Sequence, residues 1–309
     1  MTSVLYDAPG PKARRRSLII SIVGVIVILG GLAALIAGLA APRVSANGTE
    51  QPGLFDASRW DIFLDVQVWR FIGEGVLNTL RMAAVAAVFA IVVGILFSFG
   101  RSALTPWVRT PSTVLLEFFR GMPVLLLILF ILLVFGVEPY WAGVGALALY
   151  NGAIIGEALR AGIQSLPKGQ RESGLAIGLT PLRTRFIIEF PQAFRQMLPI
   201  IIAQLVVLLK DTALAYIVGY PELLRTTTTY IANFFGSRYV FSLFFVALAI
   251  YLTMNLLLSW VARLIAKRSG PKLGKTIGAA SDKGEDDPQF IGGRVKAENY
   301  GATGGWGPR

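Results

Sequence analysis

The sequence predicts an all-α integral membrane protein with six transmembrane helices and both termini in the cytoplasm. Three observations support this prediction: long uncharged apolar runs, a low content of charged residues, and an uneven distribution of lysine and arginine. Only 15% of the 309 residues are charged, 54% are hydrophobic, and the mean hydropathy is +0.63. A soluble domain would carry nearer a quarter charged residues. A soluble globular enzyme is therefore excluded as the default interpretation.

The apolar runs define six predicted spans, since a helix needs about 20 apolar residues to cross a bilayer. They cover residues 18–41, 82–100, 121–137, 139–156, 196–221 and 239–262. The third is the shortest, and Pro123 near its start is expected to kink it. The fifth contains two adjacent charges, Lys210 and Asp211.

The orientation follows from the positive charges. Twenty-two lysines and arginines fall on the side that holds both termini, against five on the other side. Cytoplasmic loops carry this excess, so both termini are predicted to be cytoplasmic. The net charge of +11 is then a topology signal. We expect contact with membrane lipid and no nucleic-acid partner.

Composition divides the rest of the chain. Residues 1–17 form a basic cytoplasmic N terminus, and residues 18–41 form a first helix that is too long for the core of a signal peptide. Residues 42–70 form an exported loop in which Trp60 and Trp69 are candidate interface anchors. Residues 71–268 form the main transmembrane domain. Residues 269–309, rich in Gly, Lys, Asp and Ser, are expected to be a disordered cytoplasmic tail.

The residue types limit the chemistry that the chain can perform. It contains no cysteine and no histidine. This excludes disulfides, thiol nucleophiles, Ser-His catalytic sites and the usual zinc sites. We expect no catalytic residue, no metal site and no bound cofactor.

The cytoplasmic segment at about residues 160–195 is too polar to span a membrane and too patterned for a floppy loop. Pro167 and Pro181 bracket a stretch long enough for a short helix. Small residues within it would let that helix lie closely in a groove on another protein. These small residues are Ser173, Gly174, Ala176 and Gly178.

The same segment resembles the EAA loop of ABC-importer permeases. The matching pattern is Glu172-Ser173-Gly174, then Gly178, then Ile188 and Pro191. Flanking residues 117–123, 156–170, 208–212 and 218–223 resemble polar amino-acid permeases, and the finer resemblance is to actinobacterial glutamate permease subunits. The resemblance covers about residues 70–266. Ser173 and Gly174 replace the two alanines of the loop's name, and Phe190 replaces the usual leucine.

The resemblance implies a five-helix type I importer permease core plus one additional N-terminal helix, in a bacterial plasma membrane. It implies four kinds of partner or ligand: a dimeric cytoplasmic ABC ATPase that holds ATP and Mg, a second permease subunit that is identical or homologous, an external amino-acid-binding protein, and L-glutamate. The loop's helix would dock on the ATPase, with Glu172 near its N terminus and Gly178 in a close turn. The implied coupling residues are Glu172, Ser173, Gly174, Ala176, Gly178, Leu179, Thr180, Ile188 and Pro191.

Ionisable residues inside the spans are functional candidates by default. Arg81, Lys210 and Asp211 are predicted at comparable depth in the outer half of the membrane. Either Arg81 captures a substrate carboxylate in a cationic site, or it forms a salt bridge with Asp211. Asn151, near mid-depth, either lines a pathway or makes an interhelical hydrogen bond. Thr212 completes the candidate substrate pathway.

Two other classes of function remain open from the sequence alone. One is an ion-coupled secondary amino-acid carrier without an ATPase partner, a class that often shows inverted repeats. No convincing repeat relates the two halves of this chain. The other is a channel or a structural membrane subunit. Co-purification with a P-loop ATPase would separate the importer from both.

Overall fold

The computed structural model describes residues 10–44 and 50–269, and within them the regular secondary structure is helical apart from one short strand pair. Strands β1 (Arg43–Val44) and β2 (Glu50–Gln51) pair antiparallel. The helices are α1 Pro11–Ala40, α2 Val66–Arg101, α3 Pro106–Gly121, α4 Val124–Phe135, α5 Pro139–Gln164, α6 Lys168–Ala176, α7 Pro181–Thr184, α8 Phe190–Asp211, α9 Leu223–Arg225, α10 Ala232–Phe235 and α11 Val240–Ser269. Residues 270–309, which include all but the first residue of the predicted tail, lie outside the described residues.

Five helical segments are long and apolar enough to cross a membrane within the described residues. They are Pro11–Ala40, Val66–Arg101, Pro139–Gln164, Pro181–Tyr216 and Ser237–Ile265. The segment Pro181–Tyr216 includes a π-helical turn at Arg185–Glu189 and a 3-10 turn at Thr212–Tyr216. Helix α2 begins at Val66, inside the stretch predicted as an exported loop, because the side chain of Asp65 caps it by accepting from the Gln67 amide.

The third predicted span, residues 121–137, contains the short helix α4 and only the last residue of α3. Helices α3 and α4 meet at a bend of 110°, and a sixth span exists only if this pair is counted as one. The break lies at Met122 and Pro123, as the sequence predicts for a proline. Pro123 has no amide hydrogen to donate and disfavours the helical conformation of the residue before it. Helix α4 has only 12 residues, so alone it would cover about 18 Å.

Helix α1 stands apart from the other helices. None of its residues is buried, and its large apolar side chains from Leu18 to Ile36 are exposed. Such a helix is stable only where lipid or another protein covers it. Its far end is tied to the following segment by a hydrogen bond from the Leu54 amide to the Leu39 carbonyl oxygen, 3.0 Å long.

The main core is formed by α2, α4, α5 and α8. Met82, Leu147, Ile155 and Leu208 are fully buried in it. A second cluster joins the start of α2 to α9 and α11 and includes Ile72, Leu223 and Leu243. These two clusters hold α2 in contact with elements from most of the following chain.

Close contact between α2 and α5 depends on glycines. A Cβ atom at Gly156 would lie 2.9 Å from the carbonyl oxygen of Gly94, and one at Gly94 would lie 2.7 Å from the Ile155 side chain. Small residues allow backbones to approach in this way inside a membrane. At Gly121, by contrast, nothing lies within 4 Å of a Cβ atom.

Candidate functional site

Helix α6 and the turns that follow it form an exposed cap at one end of the bundle, here called the α6 end. Pro167 precedes the helix, and its nine residues end before Gly178, whose φ is +84°. Glycine adopts this left-handed conformation without the steric cost that other residues pay. Most side chains of α6 are exposed, so the helix presents a surface rather than joining the core.

Packing at Gly174 holds α6 to the chain behind it. A Cβ atom at this position would lie 2.6 Å from Cγ2 of Thr184 and 2.9 Å from Cδ1 of Ile188. The side chain of Gln192 also donates to Oε1 of Gln170 at 3.0 Å. The helix therefore lies closely against the start of the long segment that leads into α8.

A half-buried arginine joins this segment to the end of α2. Nη1 of Arg185 donates to the carbonyl oxygen of Ser102 at 2.5 Å, and its Nε lies 3.6 Å from the carboxylate of Glu189. Ser102 is the C-cap residue that directly follows α2. This bond connects the turn behind α6 to the end of α2. Spacing in the sequence did not indicate it.

The predicted coupling residues occupy different positions around this cap. Gly174 is buried, whereas Glu172, Ser173 and Ala176 are exposed on α6. Thr180 caps α7 by accepting from the Arg183 amide. Leu179, Ile188 and Pro191 follow in the same cap, and only Pro191 among these three is fully exposed.

The expectation that Glu172 lies near the N terminus of its helix is wrong. Helix α6 begins at Lys168, so Glu172 is its fifth residue and the first turn carries no acidic side chain. Pro167 sets this start, because the helix begins directly after the fixed backbone of the proline. Glu172 therefore does not interact with the free amides of the first turn.

Two cationic side chains are exposed at matching levels of the bundle. Arg81 lies twenty residues before Arg101, the last residue of α2, and Lys210 lies twenty residues after Phe190, the first residue of α8. At 1.5 Å per residue, each lies about 30 Å from the α6 end. An exposed charge at membrane depth is costly in lipid, so such side chains face water or another protein.

The proposed salt bridge between Arg81 and Asp211 is not formed. No ion pair within the described residues joins them. Burial raises the pKa of the Tyr220 hydroxyl to about 12, and the positive charge of Arg81 acts in the opposite direction. The rotation of α2 about its own axis directs Arg81 away from the core of the bundle. Spacing along the chain could not predict this direction.

Asn151 and Thr212 lie in the packing between helices. Nδ2 of Asn151 donates to the Leu147 carbonyl oxygen and its Oδ1 accepts from Gln204, both at 2.8 Å. This is the interhelical hydrogen bond that the sequence analysis offered as one alternative. Thr212 is buried and donates to the Leu209 carbonyl oxygen. Asp211 is half-buried, so it is less exposed than Arg81 and more exposed than Asn151 and Thr212.

The segment after residue 216 contains a buried carboxylate that the sequence analysis did not select. Glu222 accepts from the amides of Leu224 and Arg225, each at 2.7 Å, and from the hydroxyl of Tyr251 at 2.6 Å. Burial raises the pKa of its carboxyl group, and these hydrogen bonds act in the opposite direction. Glu222 thus caps α9 and fixes it to α11.

The segment that carries Glu222 is also bound to α2 near Arg81. Nδ2 of Asn78 donates to the Pro221 carbonyl oxygen at 3.0 Å, and the Tyr220 hydroxyl donates to the Asn78 carbonyl oxygen at 3.1 Å. The Leu223 amide donates to Oγ1 of Thr79 at 3.0 Å. These bonds fix residues 220–223 against α2 close to Arg81, at the end of the bundle opposite α6.

Comparisons with known proteins identify relatives of this chain. The sequence profile described as binding-protein-dependent transport system inner membrane component matches residues 86–270. The glutamate transport system permease protein GluD of Corynebacterium glutamicum is 36% identical over 225 residues, which cover 70% of this chain and 81% of that protein. The probable glutamine ABC transporter permease protein GlnP of Bacillus subtilis is 32% identical over 203 residues, covering 64% and 93%.

A solved structure shows the same fold. The crystal structure of an amino acid ABC transporter with histidines aligns with a TM-score of 0.59 and 26% sequence identity, over 66% of this chain and 96% of that chain. The profile match includes α6, Lys210 and Asp211 and begins after Arg81. Helix α1 and the segment up to α2 lie outside it.

Proposed function

Because the chain belongs to the family of binding-protein-dependent transport system inner membrane components, we propose that it is the permease subunit of an ATP-driven importer for L-glutamate. The family consists of membrane components of bacterial transporters and not of enzymes. The amino-acid class is supported by GluD, by GlnP and by the solved amino acid transporter. Glutamate is the substrate in the name of the relative with 36% identity.

The observation that carries the proposal is the exposed helix α6 within the matched residues. In our proposal a dimeric ATPase, which holds ATP and Mg, receives α6 in a groove on its surface. Closure of the ATPase would move α6, and the contacts at Gly174 and Arg185 would pass this motion to α8 and α2. A flexible loop would dissipate such motion, whereas a packed helix transmits it.

Arg81 and Lys210 supply the proposed substrate contacts. A second permease subunit, identical or homologous, would face the side of the bundle that exposes them, and the pathway would run between the two. Guanidinium and ammonium groups bind carboxylates through charge-assisted hydrogen bonds. An external binding protein would deliver glutamate to the end of the bundle opposite α6.

Uptake measurements test this function directly. We expect labelled glutamate uptake to depend on the chain, to compete with unlabelled aspartate more than with arginine, and to stop when ATP is depleted. Collapse of the sodium and proton gradients with ATP maintained should leave uptake in place. Uptake that follows the ion gradients would instead identify an ion-coupled carrier, and chain-dependent uptake of another amino acid would exclude glutamate.

The Gly178→Asp variant is expected to insert normally but to transport little glutamate per ATP hydrolysed. A side chain at φ +84° costs about 1–3 kcal/mol of backbone strain. This is less than the roughly 5–15 kcal/mol that stabilises an ordinary domain, so the strain should displace α6 without unfolding the bundle. Uptake and ATP hydrolysis are measured together in proteoliposomes.

Gly169→Asp is the matched control for this variant. It adds the same charge to α6 at a position with open space and no positive φ. We expect it to retain more of the coupling between uptake and hydrolysis. Equal losses in both variants would assign the effect to the added charge and contradict the role of the turn at Gly178.

A further inference from the structure

A large cavity lies at the α6 end of the bundle. Its volume is about 860 Å³, and it is bounded by the connection from α2 to α3, the last turn of α5, helix α6 and the turn at Arg185–Glu189. Six cationic side chains line it, against the two carboxylates Glu172 and Glu189. The cations are Arg101, Arg109, Arg160, Lys168, Arg171 and Arg185.

Three of these cations have acidic partners. Arg101 lies 2.6 Å and Arg160 lies 2.5 Å from the carboxylate of Glu157. Arg185 pairs with Glu189 at 3.6 Å. These pairs form the rigid inner wall of the cavity.

The other three cations have no carboxylate partner within the part of the chain that the structure describes. Arg109 comes from α3, whereas Lys168 and Arg171 come from the first turns of α6. Two separate elements thus present unpaired positive charge to one open cavity. Like charges held this way repel, and an anion between them would remove that repulsion.

The cavity borders the membrane surface because α3 does. This helix exposes Trp107 to 89%, together with Val114, Leu115 and Phe118, and it bends away from the direction of α4 by 110°. An amphipathic helix with these residues lies in the interface between lipid tails and headgroups. Arg109 and Thr113 of the same helix line the cavity, so its rim lies at the level of lipid headgroups.

We propose that this cavity binds the phosphate group of an anionic phospholipid from the adjoining leaflet. Arg109 would approach the phosphate from α3, and Lys168 and Arg171 would approach it from α6. Guanidinium groups bind phosphate oxygens through paired hydrogen bonds, and the ammonium group adds a point charge. The bound lipid would join α6 to the interfacial helix α3. This site is independent of the transported substrate.

The test uses the full chain purified in detergent and titrated with labelled phosphatidylglycerol, with phosphatidylcholine as the zwitterionic comparison. We expect preferential binding of phosphatidylglycerol. The triple variant Arg109→Gln, Lys168→Gln, Arg171→Gln should weaken it by about 100-fold, since each direct charge-assisted hydrogen bond to the phosphate contributes at least about fivefold. The matched control Arg183→Gln, Arg195→Gln, Arg263→Gln removes the same charge from exposed residues outside the cavity. It should weaken binding less than fivefold.

Three outcomes would overturn the proposal. Equal weakening by both triple variants would mean that only the overall charge attracts the lipid. Displacement of the lipid by millimolar inorganic phosphate would identify a site for soluble anions instead. Loss of phosphatidylglycerol when the chain is assembled with its ATPase would show that the cavity belongs to that protein interface.

Discussion

Replacing Gly156 with leucine is expected to prevent α2 and α5 from packing and to lower the yield of folded protein sharply. A Cβ atom there would lie 2.9 Å from the Gly94 carbonyl oxygen and 2.9 Å from Cβ of Phe97. Backbone atoms cannot move aside as a flexible side chain can, so the cost should reach or exceed the roughly 3 kcal/mol of severe overpacking. A fall of about 10 °C in the melting temperature of the detergent-purified chain follows from this cost.

Gly73→Leu provides the control for this prediction. Gly73 lies on α2, and nothing lies within 4 Å of a Cβ atom at that position. The same enlargement should leave the melting temperature close to that of the unaltered chain. If the Gly156→Leu and Gly73→Leu variants have the same melting temperature, the packing of α2 on α5 does not depend on backbone contact at Gly94 and Gly156.

The Arg81→Ala variant is expected to assemble normally and to lose about 10- to 100-fold of its glutamate uptake. A hydrogen bond to a charged group is worth about 1.5–3 kcal/mol, which corresponds to this range. Arg81 has no acidic partner among the described residues, so its removal leaves no carboxylate without its counter-charge. Uptake is measured in proteoliposomes with the binding protein and ATPase present.

Two further variants separate a substrate contact from a structural role. Arg81→Lys keeps the charge and should recover part of the uptake, mainly through a lower KM than that of Arg81→Ala. Arg70→Ala removes an exposed arginine near the start of the same helix and should leave uptake unchanged. Normal uptake in Arg81→Ala would place substrate recognition elsewhere, for example entirely on the external binding protein.

Several features of the α6 end follow from local sequence, and others do not. Pro167 and Pro181 predict a short helix between them, and the structure places α6 there. The contact of Gly174 with Thr184 and the bond from Arg185 to Ser102 could not be predicted. They join residues on segments whose relative position depends on the packing of α2, α5 and α8 together.

The sequence by itself determined the helical class, five of the six predicted apolar spans, the break at Pro123 and the family to which the chain belongs. These properties depend on short-range effects: the apolar content of about 20 consecutive residues, the missing amide of proline, and residue order within a motif. Only the tertiary structure decided that Arg81 faces outward without Asp211, that Asn151 bonds to Gln204, and that cations from α3 and α6 share one cavity. Each depends on the rotation and register of whole helices, which contacts across the bundle set.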